Sequence, residues 1–217
     1  MGRPDFSFEK ALCGVVCGID EVGRGPLAGP VVASAVILPR RLPALLKTHL
    51  NDSKKVPPAR RLELYGIIVD CAEVGIGRAE VAEIDSINIL QATFLAMGRA
   101  LATIRADHAL VDGNQRPPLS CAVTCIVEGD SKSFSIAAAS IVAKVTRDQE
   151  MARLALDHPG YGWERNAGYG TAEHLGALRA LGVTPHHRRS FAPVTALLVE
   201  PVALVEPPMC FVETVSG

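Results

Sequence analysis

Four carboxylates in this chain stand where the backbone leaves an apolar run: the adjacent pair Asp20 and Glu21, then Asp112, then Asp130. The run Leu12–Ile19 ends in the pair, His108–Val111 ends in Asp112-Gly113, and Cys121–Val127 is closed by Glu128-Gly129-Asp130. Hard divalent cations such as Mg²⁺ take oxygen ligands and keep positions for water and phosphate oxygens. Two such ions about 4 Å apart can activate a water and stabilise the leaving oxygen of a phosphodiester. Acids converging from separate elements suit that chemistry, and without metal they repel one another. Each acid also has a plain reading, because an acid beside glycine is often only a turn or capping residue. The Asp20-Glu21 pair resists that reading, since two adjacent acids at the end of an apolar strand are a costly way to make a turn. Asp52, Asp85 and Asp148 look similar on paper. Asp85 is expected as a helix cap, and Asp148, four residues after Lys144, as half of a helical ion pair.

The acid pair runs directly into Gly23-Arg24-Gly25-Pro26-Leu27-Ala28-Gly29-Pro30. Glycine lets a backbone approach a ligand and adopt positive φ, so a loop of this kind around Arg24 suits contact with an anion beside the acids. Arg24, Lys54, Lys55 and the Arg188-Arg189 pair within His186–Arg189 are candidates for neutralising phosphates, or else a solvated basic face. Tyr169, in Gly168-Tyr169-Gly170, is either an apolar surface offered to a ligand or a turn aromatic packing on the last helix.

The elements that must position these groups are readable in outline. Residues 12–20 and 31–38 are expected as buried strands, and with only a glycine-rich turn between them they should pair antiparallel. Pro57-Pro58 opens a helix to about Ala72, with Leu62, Tyr65, Ile68 and Val69 on its inner face. A strand over Val74–Val81 precedes a long helix capped by Asp85 or Ser86, whose stripe is Ile87, Leu90, Phe94, Met97, Leu101 and Ile104. A second long helix runs from Ser133 to about Asp157, and its small residues Ala137, Ala138, Ala139 and Ser140 allow close approach to a neighbour. Thr171 caps a helix over 172–181, and 194–198 is apolar. Strands alternating with helices give an α/β fold with a mixed sheet flanked by helices. The expectation is one domain over 1–217, with a core of about 12–157, a helical C-terminal part of about 158–198 and a tail over 199–217.

Composition narrows the class. With 217 residues, 48% hydrophobic and 21% charged, the chain resembles an ordinary soluble globular protein. No run of about 18 apolar residues suggests a membrane span, and Met1–Lys10 lacks an apolar signal core, so the expectation is a cytoplasmic protein with no membrane partner. A formal net charge of -1 does not advertise a nucleic-acid binder, although a local basic surface can hide within a neutral total. Cys13, Cys17, Cys71, Cys121, Cys125 and Cys210 sit mostly in strand-like stretches, which favours buried reduced thiols over zinc.

The run Gly18-Ile19-Asp20-Glu21-Val22-Gly23-Arg24-Gly25-Pro26-Leu27-Ala28-Gly29-Pro30-Val31-Val32 resembles the signature of bacterial ribonuclease HII. The likeness continues through Asp52–Lys55, Glu83-Ile84-Asp85 with Asn88, Val111–Gly113, Gly129–Lys132 with Ser135–Lys144, Gly168–Thr171 and Pro185–Val194. It spans about 13–195 in the expected order. The resemblance implies a ribonuclease H-like fold and a type 2 ribonuclease H, a two-metal endonuclease dependent on Mg²⁺ or Mn²⁺. Its substrates would be the RNA strand of RNA/DNA hybrids and single ribonucleotides in duplex DNA, cut on their 5′ side to leave 3′-hydroxyl and 5′-phosphate ends, as in ribonucleotide excision repair. It places the metal-binding and catalytic acids on Asp20, Glu21, Asp112 and Asp130, substrate binding on Gly23, Arg24, Gly25, Lys54 and Arg188, and a ribose-packing tyrosine on Tyr169. The 2′-hydroxyl is the group by which one ribonucleotide differs from DNA. A glycine turn's backbone can grip it while Tyr169 faces the sugar. The family often carries a lysine before the Gly-Tyr turn, where this chain has Ala167, with Arg165 nearby. The alternative is a catalytically silent nucleic-acid-binding protein of the same fold. Monomer is the expected state.

Overall fold

In the computed structural model, which describes residues 3–199, the first strand β1 (Val16–Val22) is the centre of a five-stranded sheet. It pairs antiparallel with β2 (Val31–Ile37), which pairs antiparallel with β3 (Glu73–Ala79). On its other side β1 runs parallel to β4 (His108–Asp112), and β4 parallel to β5 (Ala122–Ile126), giving the order β3-β2-β1-β4-β5. The expected mixed sheet is therefore present, with its antiparallel half made by the early hairpin. Asp20 and Glu21 lie inside β1 rather than after it, paired with Ser34 and Ala33 of β2. The strand begins at Val16, four residues later than Leu12.

Side chains alternate across a strand, and β1 uses the two faces differently. Cys17 and Ile19 enter a core with Ala92, Ala96, Met97 and Ala100 of the helix α4 defined below. Gly18 faces the opposite way, against the backbone of Ser135 and Ile136. That second face is covered by the long helix, where Ala137, Ala138, Ala139, Ile141 and Val142 are buried. Its small residues do allow the close approach expected of them. Ser34 of β2 donates a 2.7 Å hydrogen bond to the Ala139 carbonyl.

The helices are α1 (Ser7–Lys10), α2 (Ala44–His49), α3 (Pro58–Cys71), α4 (Val81–Leu101), α5 (Phe134–Asp157), α6 (Trp163–Asn166), α7 (Ala172–Leu181) and α8 (Ala192–Val199). The caps expected at Ser133 and Thr171 are made, accepting from the amides of Ile136 and His174. Three details differ from the sequence reading. In α3 the inward residues are Leu64 and Ile68, while Leu62 and Val69 are exposed. The start of α4 is a capping box between Glu80 and Glu83, which leaves Asp85 inside the helix, where it accepts from the amides of Arg189 and Ser190 at 3.0 and 2.9 Å. Asn88 interrupts α4 at φ 68° and caps its second segment by accepting from the Leu90 and Gln91 amides. That break resets the helical phase, so Ile87 is exposed although Met97 and Leu101 are buried as expected. Ile104 lies past the helix end. The expected tail from 200 onward and Cys210 lie outside the described residues. Among the described residues no helix is long and apolar enough to cross a membrane.

Candidate active site

The parallel register of β1 and β4 ends at Ile19 beside Val111, so the next residues, Asp20 and Asp112, emerge side by side. Asp130 arrives on a 3₁₀ turn, Gly129–Ser131, fixed by a 2.6 Å hydrogen bond from the Gly129 amide to the Asp112 carboxylate. All four acids, Asp20, Glu21, Asp112 and Asp130, line one cavity of ≈ 300 Å³, together with Ser53, Lys54, Ser140, Lys144 and Tyr169.

The electrostatics of this cavity are those of unneutralised acids. Asp20 is 7% exposed. Burial, and then the charges of Glu21, Asp112 and Asp130, hold its carboxyl well above the usual range. Glu21 is raised by burial despite Arg24, whose guanidinium lies 3.4 Å away. Asp130 is pushed up to about 6 by burial, then by Asp52 and Asp112. Like charges held together disfavour ionisation, and a bound cation removes the penalty. No three His, Cys, Asp or Glu side chains among the described residues close tightly around a common point. A hard cation that keeps waters and takes phosphate oxygens does not need a closed protein cage, and an all-carboxylate donor set is the kind it prefers. The residues present fit Mg²⁺ or Mn²⁺.

Beside the acids, the loop 23–30 turns with Gly23 at φ 94° and Gly29 at φ 81°. An atom added to Gly25 would meet the Tyr169 ring at 3.6 Å, so the two ends of the sequence-read site are brought together. Tyr169 is 42% exposed and lines the cavity.

Arg188 corrects an expectation. It is fully buried, and its guanidinium donates to the carbonyls of Gly23 (2.5 Å), Arg24 (3.0 Å) and Gly29 (3.0 and 2.8 Å). A cation so enclosed cannot meet a phosphate directly. Arg147, also fully buried, serves the same loop through the carbonyls of Ala28, Pro30 and Ala167. Burial lowers both guanidinium pKa values, to about 9 for Arg188, with the charge of Arg147 as the second cause, and to about 10 for Arg147. The His186–Arg189 stretch is thus no uniformly basic surface: His187 is buried as well, and its value falls from 6.5 to about 4, through burial first and His174 second. Arg165, near Ala167, is paired with Glu164 and Glu173.

The Tyr169 turn rests on a defined chain of neutral rings. His187 Nδ1 accepts from the Thr184 amide at 3.0 Å, so its proton is on Nε2 and points at His174 Nε2, 3.0 Å away. His174 Nε2 accepts from Trp163 as well, which puts the His174 proton on Nδ1, donated to the Tyr169 carbonyl at 3.0 Å. Both tautomers follow from the fixed donors.

Sequence reasoning passed over Lys144, which it treated only as a partner of Asp148. The pair is real at 2.8 Å, yet Lys144 also lines the cavity. Its spacing of four from Ser140, on a helix otherwise apolar there, was the available signal. Asp52, which resembles the site acids in sequence, is given no role by that reading. It sits beside Asp130 and accepts from the Lys54 amide at 2.9 Å.

A family model described as Ribonuclease HII matches residues 17–194. The Ribonuclease HII of Paramagnetospirillum magneticum is 62% identical over 199 residues, covering 90% of this chain and 99% of that protein. That of Rhodospirillum rubrum is 64% identical over 201 residues, covering 90% and 92%. Among solved structures, ribonuclease H2 from Pyrococcus horikoshii superposes with a TM-score of 0.68 at 25% identity, covering 84% of this chain and 96% of that one. Bst-RNase HIII in complex with Mn²⁺ shares the fold at a TM-score of 0.67 and 19% identity, covering 85% and 69%. With the signature read along the sequence, a mixed sheet that brings the four acids into one cavity, and matches over nine-tenths of the chain, this protein belongs to the ribonuclease HII family of ribonuclease H enzymes.

Proposed function

We propose that the chain is an endonuclease that cleaves the RNA strand of RNA/DNA hybrids and nicks duplex DNA on the 5′ side of a single ribonucleotide. The products carry 3′-hydroxyl and 5′-phosphate ends, and the protein works as a cytoplasmic monomer in ribonucleotide excision repair. The observation that carries the proposal is the cavity that the four acids line together with Tyr169, whose ring lies against Gly25 of the Gly23-Arg24-Gly25 turn.

Asp20, Glu21, Asp112 and Asp130 are the groups that would hold Mg²⁺ or Mn²⁺. Such ions, when bound, activate the attacking water and stabilise the departing 3′-oxygen. The rest of the task falls to the chain. Lys54 and Lys144 supply positive charge at the cavity wall, where the backbone of the substrate must pass. The amides of Gly23, Arg24 and Gly25 have no backbone acceptor among the described residues, so they are available to the ribose 2′-hydroxyl and its phosphate. Tyr169 supplies an apolar face against the sugar. Reading the 2′-hydroxyl at one nucleotide while the flanks are ordinary duplex accounts for recognition of a lone ribonucleotide. A silent binding protein would have no need to retain four mutually repelling acids.

The test is a DNA duplex containing one ribonucleotide, incubated with Mn²⁺. The expected product is a single nick 5′ of the ribonucleotide. Absence of a nick refutes the proposal, and equal cutting of the all-DNA duplex shows a nuclease of different specificity.

A further inference from the structure

The loop 23–30 is held in an unusual way. The carbonyls of Gly23, Arg24, Ala28, Gly29 and Pro30 are all hydrogen-bonded by the guanidinium groups of Arg188 and Arg147. The Leu27 carbonyl accepts from the Arg188 amide at 2.8 Å. Neither arginine has a carboxylate partner among the described residues. Two buried cations with no carboxylate in direct contact oppose folding, and Asp85 near Arg188 and Asp148 and Glu150 near Arg147 offset this only from a distance. Retention of the two arginines calls for a benefit, and the geometry supplies one. A planar trans peptide points each amide away from the carbonyl before it, so the inward carbonyls of Gly23 and Arg24 turn the amides of Arg24 and Gly25 outward, while the Leu27 and Gly29 amides bond the carbonyls of Gly168 and His186. Arg147 extends the same grip to the Ala167 carbonyl, two residues before Tyr169.

We propose that Arg188 and Arg147 are positioning residues for substrate reading: together they turn the amides of Arg24 and Gly25 toward the ribose and fix the spacing between that turn and Tyr169. This rests on the function proposed above. Arginine is required because its planar fork can satisfy several carbonyls at fixed angles, whereas lysine offers a point charge on a flexible stem. Access separates this role from phosphate neutralisation, since both side chains are fully buried.

The experiment compares wild type with Arg188→Lys and Arg147→Lys on the single-ribonucleotide duplex with Mn²⁺. Three quantities are read: kcat and KM, the salt dependence of duplex binding in chelator, and Mn²⁺ binding by calorimetry. Positioning predicts that kcat falls at least about tenfold in both variants. The slope of log affinity against log salt stays at the wild-type value, and Mn²⁺ binding stays within about threefold. Three results overturn the proposal. One is a kcat within about twofold of wild type, since charge alone would then suffice. Another is a salt slope reduced by about one, the sign of a direct phosphate contact. The last is loss of Mn²⁺ binding, which marks a general structural role. If wild type itself fails to nick, it is the function proposed above that has failed, and the comparison with the variants separates the two cases.

Discussion

Gly18 and Ile136 meet backbone to backbone: a β-carbon on Gly18 would lie 2.3 Å from the Ile136 amide nitrogen and 2.1 Å from the Ser135 carbonyl carbon. This contact sets the distance between β1 and the start of α5, and thereby where Asp20, two residues further along, lies relative to Asp130. Neither atom belongs to a side chain that can swing aside. Gly18→Ala is expected to destabilise the protein by about 3 kcal/mol or more, at the upper end of overpacking costs. Urea unfolding measures it, and a midpoint near wild type would contradict the contact.

Asp20→Asn separates chemistry from stability. Because the folded Asp20 carboxyl titrates above its unfolded value, its stabilising contribution is complete only at low pH and fades as pH rises through the folded pKa. At neutral pH, in chelator, the asparagine variant should therefore be more stable than wild type by about 1 kcal/mol, in keeping with the cost of active-site acids. It should not nick, yet should still bind the duplex. A lower melting temperature, or residual cutting, would count against the assignment.

Lys54 is exposed beside the acids and is a direct candidate for phosphate contact. Lys54→Ala should weaken duplex binding across sequences alike and lower the salt slope by about 0.9. Titrations at several salt concentrations read this out, and an unchanged slope would remove Lys54 from the contact set.

His187 makes stability depend on acid. Its folded value of about 4 lies below its ordinary 6.5, so between those values the unfolded chain takes up a proton that the native state refuses. Stability is full above pH 6.5 and declines as pH falls toward 4, by about 2 kcal/mol after allowing for partial solvation. Thermal melts across that range should show the decline, and His187→Asn should flatten it. Parallel curves for the two proteins would locate the acid sensitivity elsewhere.

Much of this site could be read from residue order alone, for identifiable reasons. Acids that interrupt apolar runs are conspicuous, and a hairpin's short glycine-rich loop all but dictates antiparallel pairing. Other features depend on contacts between residues far apart in the chain. Nothing local to Arg188 indicates that its partners are carbonyls some 160 positions away, and a buried arginine looks the same in sequence as an exposed one. Asp85 shows the same limit. It carries the signature of a cap, but it holds the Arg189 and Ser190 amides across the fold. Leu62 and Val69 were assigned to the wrong side of α3 because a short amphipathic helix with a weak stripe fits more than one rotation.

The dependence of the loop 23–30 on Arg188 bears on how the enzyme is born. Synthesis proceeds from the N-terminus, and early parts of a chain can fold before late ones exist. The last of the four acids, Asp130, and the helix α5 that sets its place relative to Asp20 both leave the ribosome ahead of Tyr169 and Arg188. A nascent chain at that stage would possess its acids without the means to choose a ribose. On the roles proposed above, the groups for cutting and the groups for selecting would be completed at different moments, the second with the docking of the C-terminal helices. Truncation before Val183 should leave Mn²⁺ uptake, read by calorimetry, without ribonucleotide-directed nicking, so that the late-arriving segment acts as a licence for the acids made before it.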